Sequence, residues 1–319
     1  MHDPQALAAT VLRPQSAERL PLDPAEVFPT PGPLGLEIGF GNGEYLAWWA
    51  EQAPEWNLVG VEFTRACLER AAERVHRAGV SERVRLLHGD ARHVLRETLP
   101  PGSVREAVMQ FPMPWPRKRH AKHRVIGPRF RATLASLLCA DGRFELVTDQ
   151  DWYAEQAAAD FASDSGFVVE ERCVDPDRPF RTRYERRWLA EGRHVHRLRV
   201  RLTAPRPLPP LSIPAAAMDV HHLPALPSED RLRALIELRH EEADLVCVVK
   251  EVHCSEDGYL LKVLAADPGF PQMFFVRLRS KPTGAVLRVE ECGKPFLTPA
   301  VRMALSHLAA VLGGAVEAS

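Results

Sequence analysis

The chain of 319 residues predicts an α/β fold with a mostly parallel sheet, followed by a smaller α+β domain. Three features carry that prediction. Short apolar strands alternate with amphipathic helical stretches through the first two thirds of the chain, the rhythm of βαβ units. A glycine-rich turn closes the first strand. Acidic residues stand at the ends of successive strands, where parallel sheets bind their ligands.

Leu34–Ile38 reads as the first strand and Glu44–Glu51 as the helix after it. Leu58–Val61 is the second strand. The helix Arg65–Arg77 follows, with apolar Ala66, Leu68, Ala71, Ala72 and Val75 at helical spacing. Thr64 is placed to cap it, with Cys67 rather than an acid at the capping-box position. Strand Val84–Leu87, helix Arg92–Leu99 and strand Val104–Phe111 continue the alternation. The helix from about Pro128 to Leu138 has its proline early, where the missing N–H costs nothing. Strand Phe144–Val147 and helix Trp152–Ser163 follow, and Phe167–Cys173 and Val195–Leu202 close the sheet as an expected antiparallel pair.

Around this core the organisation is coarser. Residues 1–33 are proline-rich and weakly patterned and read as a loose leader, residues 34–203 as the main domain, and 204–227 as a proline-rich linker. Residues 228–319 form the α+β domain: a helix over Glu229–Glu242, four strands near 245–252, 259–265, 273–279 and 285–290, and a last helix capped by Thr298 with Pro299 in its first turn. The six cysteines form no C-x-x-C pair, so neither a zinc site nor a disulfide framework is expected. No apolar run approaches the ~18–20 residues of a membrane span. The N-terminal stretch lacks the basic start and apolar block of a secretory signal, so the expected location is the cytoplasm.

Net charge is only −1, yet cation is concentrated. No acid lies between Glu106 and Asp141, while the stretch QFPMPWPRKRHAKHR, Gln110 to Arg124, runs from a proline-stiffened turn into five Lys/Arg and two His. Nine Arg fall between Arg178 and Arg201 against Glu185 and Glu191. Two such segments suggest a polyanion-binding face; the bland alternative is a pair of solvated faces balanced by acids elsewhere.

LGLEIGFGNG, Leu34–Gly43, places Glu37 ahead of Gly39, Gly41 and Gly43. The spacing G-x-G-x-G differs from the G-x-G-x-x-G that serves a pyrophosphate. An acid at that point suits a cationic ligand without phosphates, such as S-adenosylmethionine. The second strand ends in Glu62, placed to hold two ribose hydroxyls, and the third in Asp90, placed to accept from an adenine amino group. Each acid alone is as readily a helix N-cap or a solvated loop residue; three in order point to a site.

Together these segments resemble the class I methyltransferases, and more closely the bacterial tRNA (guanine-N7)-methyltransferases. The resemblance spans residues 30–203 and rests on LEIGFGNG, GVEF, HGDA, PWPRKRH, VTDQDWYAE and TRYE. It implies a Rossmann-like seven-stranded sheet, S-adenosylmethionine as methyl donor, tRNA as partner and a guanine of the variable loop as target. It implies cofactor contacts at Glu37, Glu62 and Asp90, with Gly39, Gly41, Gly43 and Gln110 in the same pocket. It implies tRNA contacts at Arg117 and Asp149 and across Thr182, Arg183, Tyr184 and Glu185. With a folded RNA as substrate, Arg117, Lys118, Arg119, Lys122 and Arg124 are expected to hold backbone phosphates, His120 and His123 adding charge below neutral pH, and neither a metal nor a membrane is expected. Asp149 ends the fifth strand and is placed to accept from guanine N1 and N2, or else to cap the helix after it.

The family usually carries Asp just before PWP, and this chain has Met113. Guanine N7 presents a lone pair and no proton, so transfer is expected without a base there. The turn then acts by alignment, with Met113 as apolar filler and Trp115 either stacking on the base or packing the turn. Two other readings stay open: a methyltransferase of another RNA or a small molecule, and an inactive tRNA-binding homologue. Oligomeric state is not legible in the sequence.

Overall fold

The computed structural model describes residues 10–214 and 220–314. The first nine residues of the expected leader lie outside them. The chain divides into two compact units, parted between Pro209 and Pro210, with Pro14–Leu20 grouped with the second.

The first unit is built on one sheet. Its strands are β1 (Leu34–Ile38), β2 (Asn57–Glu62), β3 (Val84–His88), β4 (Val104–Gln110), β5 (Leu138–Thr148), β6 (Phe167–Val174) and β7 (His196–Leu202), in the order β3-β2-β1-β4-β5-β7-β6. The first five run parallel, and β7 lies antiparallel between β5 and β6. β1 is buried along its whole length, as a central strand covered on both faces must be. The helices are α1 (Glu44–Gln52), α2 (Arg65–Arg77), α3 (Ala91–Thr98), α4 (Pro128–Leu137), α5 (Asp151–Ala162) and α6 (Arg183–Ala190). Leu36, Leu58, Leu86, Phe130, Phe144 and Phe161 are fully buried and form the middle of the core. Strand order reverses between β1 and β4, so the crevice beyond their carboxyl ends is where such a sheet takes a ligand.

Several local expectations change. Thr64 precedes α2 without a side-chain cap bond; its own N–H is instead taken by Glu62 Oε1 at 2.8 Å. The described part of the leader is tied down: Leu12 N–H donates to Leu86 O, Leu22 N–H to Thr98 O, and Phe28 is buried under Arg85. The start of the linker is held too, with Arg206 on Asp164 and Leu208 N–H on Ser136 Oγ. The rhythm of the sequence does not predict α6, because four charged residues in eight leave it no apolar stripe.

The second unit holds an antiparallel sheet of β8 (His221–Leu223), β9 (Arg239–Glu242), β10 (Leu245–Ser255), β11 (Gly258–Asp267), β12 (Phe270–Lys281) and β13 (Gly284–Val289), in the order β8-β13-β12-β11-β10-β9. Helix α8 (Pro299–Gly313) packs Val301, Ala304, Leu305 and Leu308 into one core with Leu261, Val263, Phe274 and Val276. Asp267 Oδ1, not Thr298, serves the start of α8 by accepting from Ala300 N–H. β8 falls inside the stretch expected as linker.

The helix expected over Glu229–Glu242 stops early, as α7 (Glu229–Arg233). Leu232 and Leu235 do enter the core. Glu237 and Ala243 then take left-handed φ of 62° and 52°, and Arg239–Glu242 becomes an edge strand against β10. Pairing the open edge of β10 outweighs continuing a charged helix.

Candidate cofactor and nucleic-acid site

The end of β1 brings Glu37 to the sheet's switch point. The side chain is 3% exposed, and its Oε2 has no hydrogen-bond partner among the described residues. Burial, reinforced by the charge of Glu62, pushes its carboxyl up to about 8; Leu46 N–H and Arg178 pull the other way but less. At neutral pH this carboxyl therefore holds a proton that a cationic partner would displace.

Glu62, at the end of β2, fixes the glycine turn: its Oε2 accepts from Gly41 N–H at 3.1 Å. Gly39 and Gly41 adopt φ of 77° and 53°, and a Cβ on either would meet nothing within 4 Å. The backbone here is open to close approach. Gly43 is different. With φ of 71°, a Cβ there would sit 2.8 Å from Ala71 Cβ, so this glycine lets α1 begin against α2. Gly43→Ala is expected to lower stability by roughly 1–3 kcal/mol in denaturant titrations, from the left-handed backbone and the clash together.

A buried carboxyl group with one oxygen unpaired among the described residues, beside an open glycine turn and a second acid, fits a cationic nucleoside such as S-adenosylmethionine. Glu37, Glu62 and the backbone of Gly39–Gly41 are the groups that would hold it.

Asp90 is engaged otherwise. It caps α3 through Arg92 N–H and grips the Arg92 guanidinium, with Arg92 Nη2 at 2.5 Å from its Oδ2. Burial alone would raise its carboxyl, but Arg92 outweighs that and holds it below the usual range. Arg92 Nη1 in turn donates to Lys122 O at 2.7 Å, pinning the basic turn to the end of β3.

Gln110 ends β4, and Arg178 Nη2 donates to its Oε1 at 2.7 Å. Arg178 Nη1 donates to Glu185 Oε2 at 2.5 Å. Arg178 is 8% and Glu185 2% exposed, which corrects the expectation of Glu185 as a surface tRNA contact. TRYE is in fact half of a capping box. Thr182 Oγ1 accepts from Glu185 N–H to start α6, while the Glu185 carboxylate turns inward to Arg178. Arg183 and Tyr184 do reach the surface. Phe180 stacks on Trp48, and Arg183 N–H donates to Glu44 Oε2, so α6 begins beside the start of α1.

The turn after β4 is strained. Phe111 and Trp115 take φ of 48° and 46°, a region costing a non-glycine residue roughly 1–3 kcal/mol. Met113 is 66% exposed, so it fills no pocket, a correction to that expectation. Trp115 lies with its ring 5.1 Å from that of His123 and 5.7 Å, edge to face, from that of His120. Arg117, Lys118, Arg119 and Lys122 are exposed on and beside a 3-10 turn, Lys118–His123. Arg124, also expected to face phosphate, points inward to Trp115 O.

Asp149 does not cap α5, whose N-cap is Gln150. Its Oδ2 accepts from Gln150 Nε2 at 2.7 Å and from Arg193 Nη1 at 3.2 Å. The second cationic segment shrinks: Arg197, Arg199 and Arg201 on β7 pair with Glu171, Glu145, Glu170 and Asp141 across the sheet. Exposed cation remains around α6 at Arg181, Arg183 and Arg186, while Arg187 pairs with Glu191 at 2.9 Å. Sequence reasoning missed Arg178, Arg92 and Arg124 as internal ties, because a buried guanidinium and a solvated one spell the same.

A family model described as "Putative methyltransferase" matches residues 31–198. The tRNA (guanine-N(7)-)-methyltransferase of Thermotoga maritima is 34% identical over 298 residues, 93% of this chain and 95% of that protein. The chain belongs to this family. A second relative of the same name, from Thermus thermophilus, is 31% identical over 92% of this chain and 94% of its own. Family likeness at that length takes in both units. The relative from Nitrosococcus oceani matches at 39% over only 56% of this chain.

Proposed function

We propose that the chain transfers a methyl group from S-adenosylmethionine to N7 of a guanine in the variable loop of tRNA. The observation that carries this reading is the pair Glu37 and Glu62 at the switch point of a chain that matches tRNA (guanine-N(7)-)-methyltransferases along nearly its whole length. Residues 34–203 are taken as the methyltransferase domain. The cofactor supplies a methyl group on a cationic sulfur. Glu37 and Glu62 hold its positive and hydroxyl groups, and Gly39 and Gly41 let it lie against the backbone. The Phe111–Trp115 turn aligns the base and excludes water; N7 has no proton to lose, so Met113 in place of an acid leaves the chemistry intact. Asp149 accepts from guanine N1 and N2.

The exposed Arg117, Lys118, Arg119 and Lys122, with the cations of α6, hold phosphates on either side. Phosphate contacts position an RNA without reading its sequence. Binding of tRNA is expected to weaken steeply with salt, log affinity falling by ~0.7–0.9 per log unit of salt for each phosphate neutralised. A flat response in filter binding from low to moderate salt would remove the basic turn from the interface.

The test of the whole reading is nucleoside analysis. tRNA incubated with the full chain and methyl-labelled cofactor, then digested, is expected to yield labelled 7-methylguanosine. Label on another nucleoside, or none, would overturn it.

A further inference from the structure

We infer that Arg124 is a positioning residue, which locks the turn carrying Trp115 to helix α5, and that it binds no phosphate. The inference rests on the reading above, in which that turn meets the guanine. Residues 111–116 contain Pro112, Pro114 and Pro116, none of which has an N–H to donate, so the turn cannot brace itself with a ladder of its own bonds. Two of its other residues, Phe111 and Trp115, sit at left-handed φ. A backbone in that state persists only when its surroundings hold it.

At Phe111 the neighbouring strand does so, since its N–H donates to Val147 O at 2.7 Å; at Trp115 the group is Arg124. Its Nε and Nη2 both donate to Trp115 O, at 3.2 and 3.1 Å. Its Nη1 donates to Gln156 Oε1 at 2.9 Å, and its guanidinium lies 4.8 Å over the ring of Trp152. Trp152 and Gln156 are one turn apart on α5, which begins two residues after Asp149. One planar cation thus ties the turn of Trp115 to the helix behind Asp149, the two sides of the base site. Its backbone N–H also closes the 3-10 turn on Ala121 O, so the exposed cations of that turn are set in place from the same residue. A lysine has neither the fork nor the flat face for this arrangement.

The experiment compares Arg124→Gln, Arg124→Lys and Arg117→Gln in the full chain, by tRNA turnover, by tRNA binding across a salt series, and by cofactor affinity and melting as checks of folding. Arg124→Gln is expected to lower kcat by about ten- to a hundredfold, the scale of a misplaced reacting group. The tRNA affinity and its salt slope stay at the wild-type values, and Arg124→Lys recovers part of kcat. Arg117→Gln weakens binding and lowers the salt slope by ~0.7–0.9. A slope for Arg124→Gln as low as that of Arg117→Gln, or an unchanged kcat, would overturn the assignment. Should Arg124→Gln fail the folding checks, Gln156→Ala with Trp152→Leu loosens the tie from the α5 side, and an unchanged kcat in that variant would equally overturn it. Lack of label on guanine with the wild-type chain would instead defeat the site reading, and the salt slope would still decide whether Arg124 takes a phosphate.

Discussion

Glu37→Gln is expected to make the free protein more stable at alkaline pH and to cost it nearly all its cofactor affinity. The native carboxyl is raised from 4.5 to about 8, chiefly by burial and then by Glu62. Between those values the folded chain keeps a proton that the unfolded chain has lost. Wild-type stability therefore falls as pH rises through that window and levels off above it. An amide has no such proton. The melting temperatures of variant and wild type should differ little near pH 4 and separate in the variant's favour by pH 9, by an amount worth a few kcal/mol on the order-of-magnitude scale of the shift. A gap that does not change with pH would show that Glu37 is not a protonated acid in the free protein. Calorimetry supplies the other half. Uptake of a cation beside Glu37 should release close to one proton per site near neutral pH, seen as a binding enthalpy that depends on the buffer. The variant should show neither the release nor tight binding. The strain on this residue is thus tied to its use, since the same desolvation that destabilises the empty site strengthens its attraction for a positive ligand.

The parts of the molecule legible in the sequence are those whose logic is periodic or terminal. The strand rhythm from Leu34 to Leu202 fixed the sheet, because buried parallel strands must be apolar and must be separated by helices. Glu37 and Glu62 stand where the alternation put them, at the ends of β1 and β2. What escaped was partner choice. Asp90 is spelled like its two companions, yet Arg92, two residues on, occupies it. Arg197, Arg199 and Arg201 look like a cationic patch until β5 and β6 arrive beside them with Glu145, Glu170 and Glu171. The pattern Leu232, Leu235, Ile236 suits a helix, and only pairing with β10, a non-local event, turns its continuation into a strand. Charge in one dimension is a count; its meaning depends on which strand lies next door.

The second large effect concerns the pair beneath the site. Arg178→Met is expected to destabilise the chain by about 3–5 kcal/mol, because it strands the Glu185 carboxylate in a place with no water to replace the lost partner. The two side chains are 4% and 2% exposed, so screening does little to soften the loss. Removing both charges is a different experiment. Arg178→Met combined with Glu185→Leu takes away the attraction and the desolvation cost together, and such exchanges are often neutral or better. Urea titrations of the two single variants and the double should therefore show strong coupling, with the double close to the wild type. Additive losses would mean that the two groups are not a pair in solution. Turnover should not follow stability back. Arg178 also fixes the amide of Gln110, the last residue of β4 before the strained turn, and its Nε2 is buried without a partner among the described residues. With Arg178 gone, that amide can rotate and the turn loses its anchor on the β4 side. A double variant that regains stability while kcat stays low would separate the two roles of one guanidinium: a charge that Glu185 requires, and a direction that Gln110 requires.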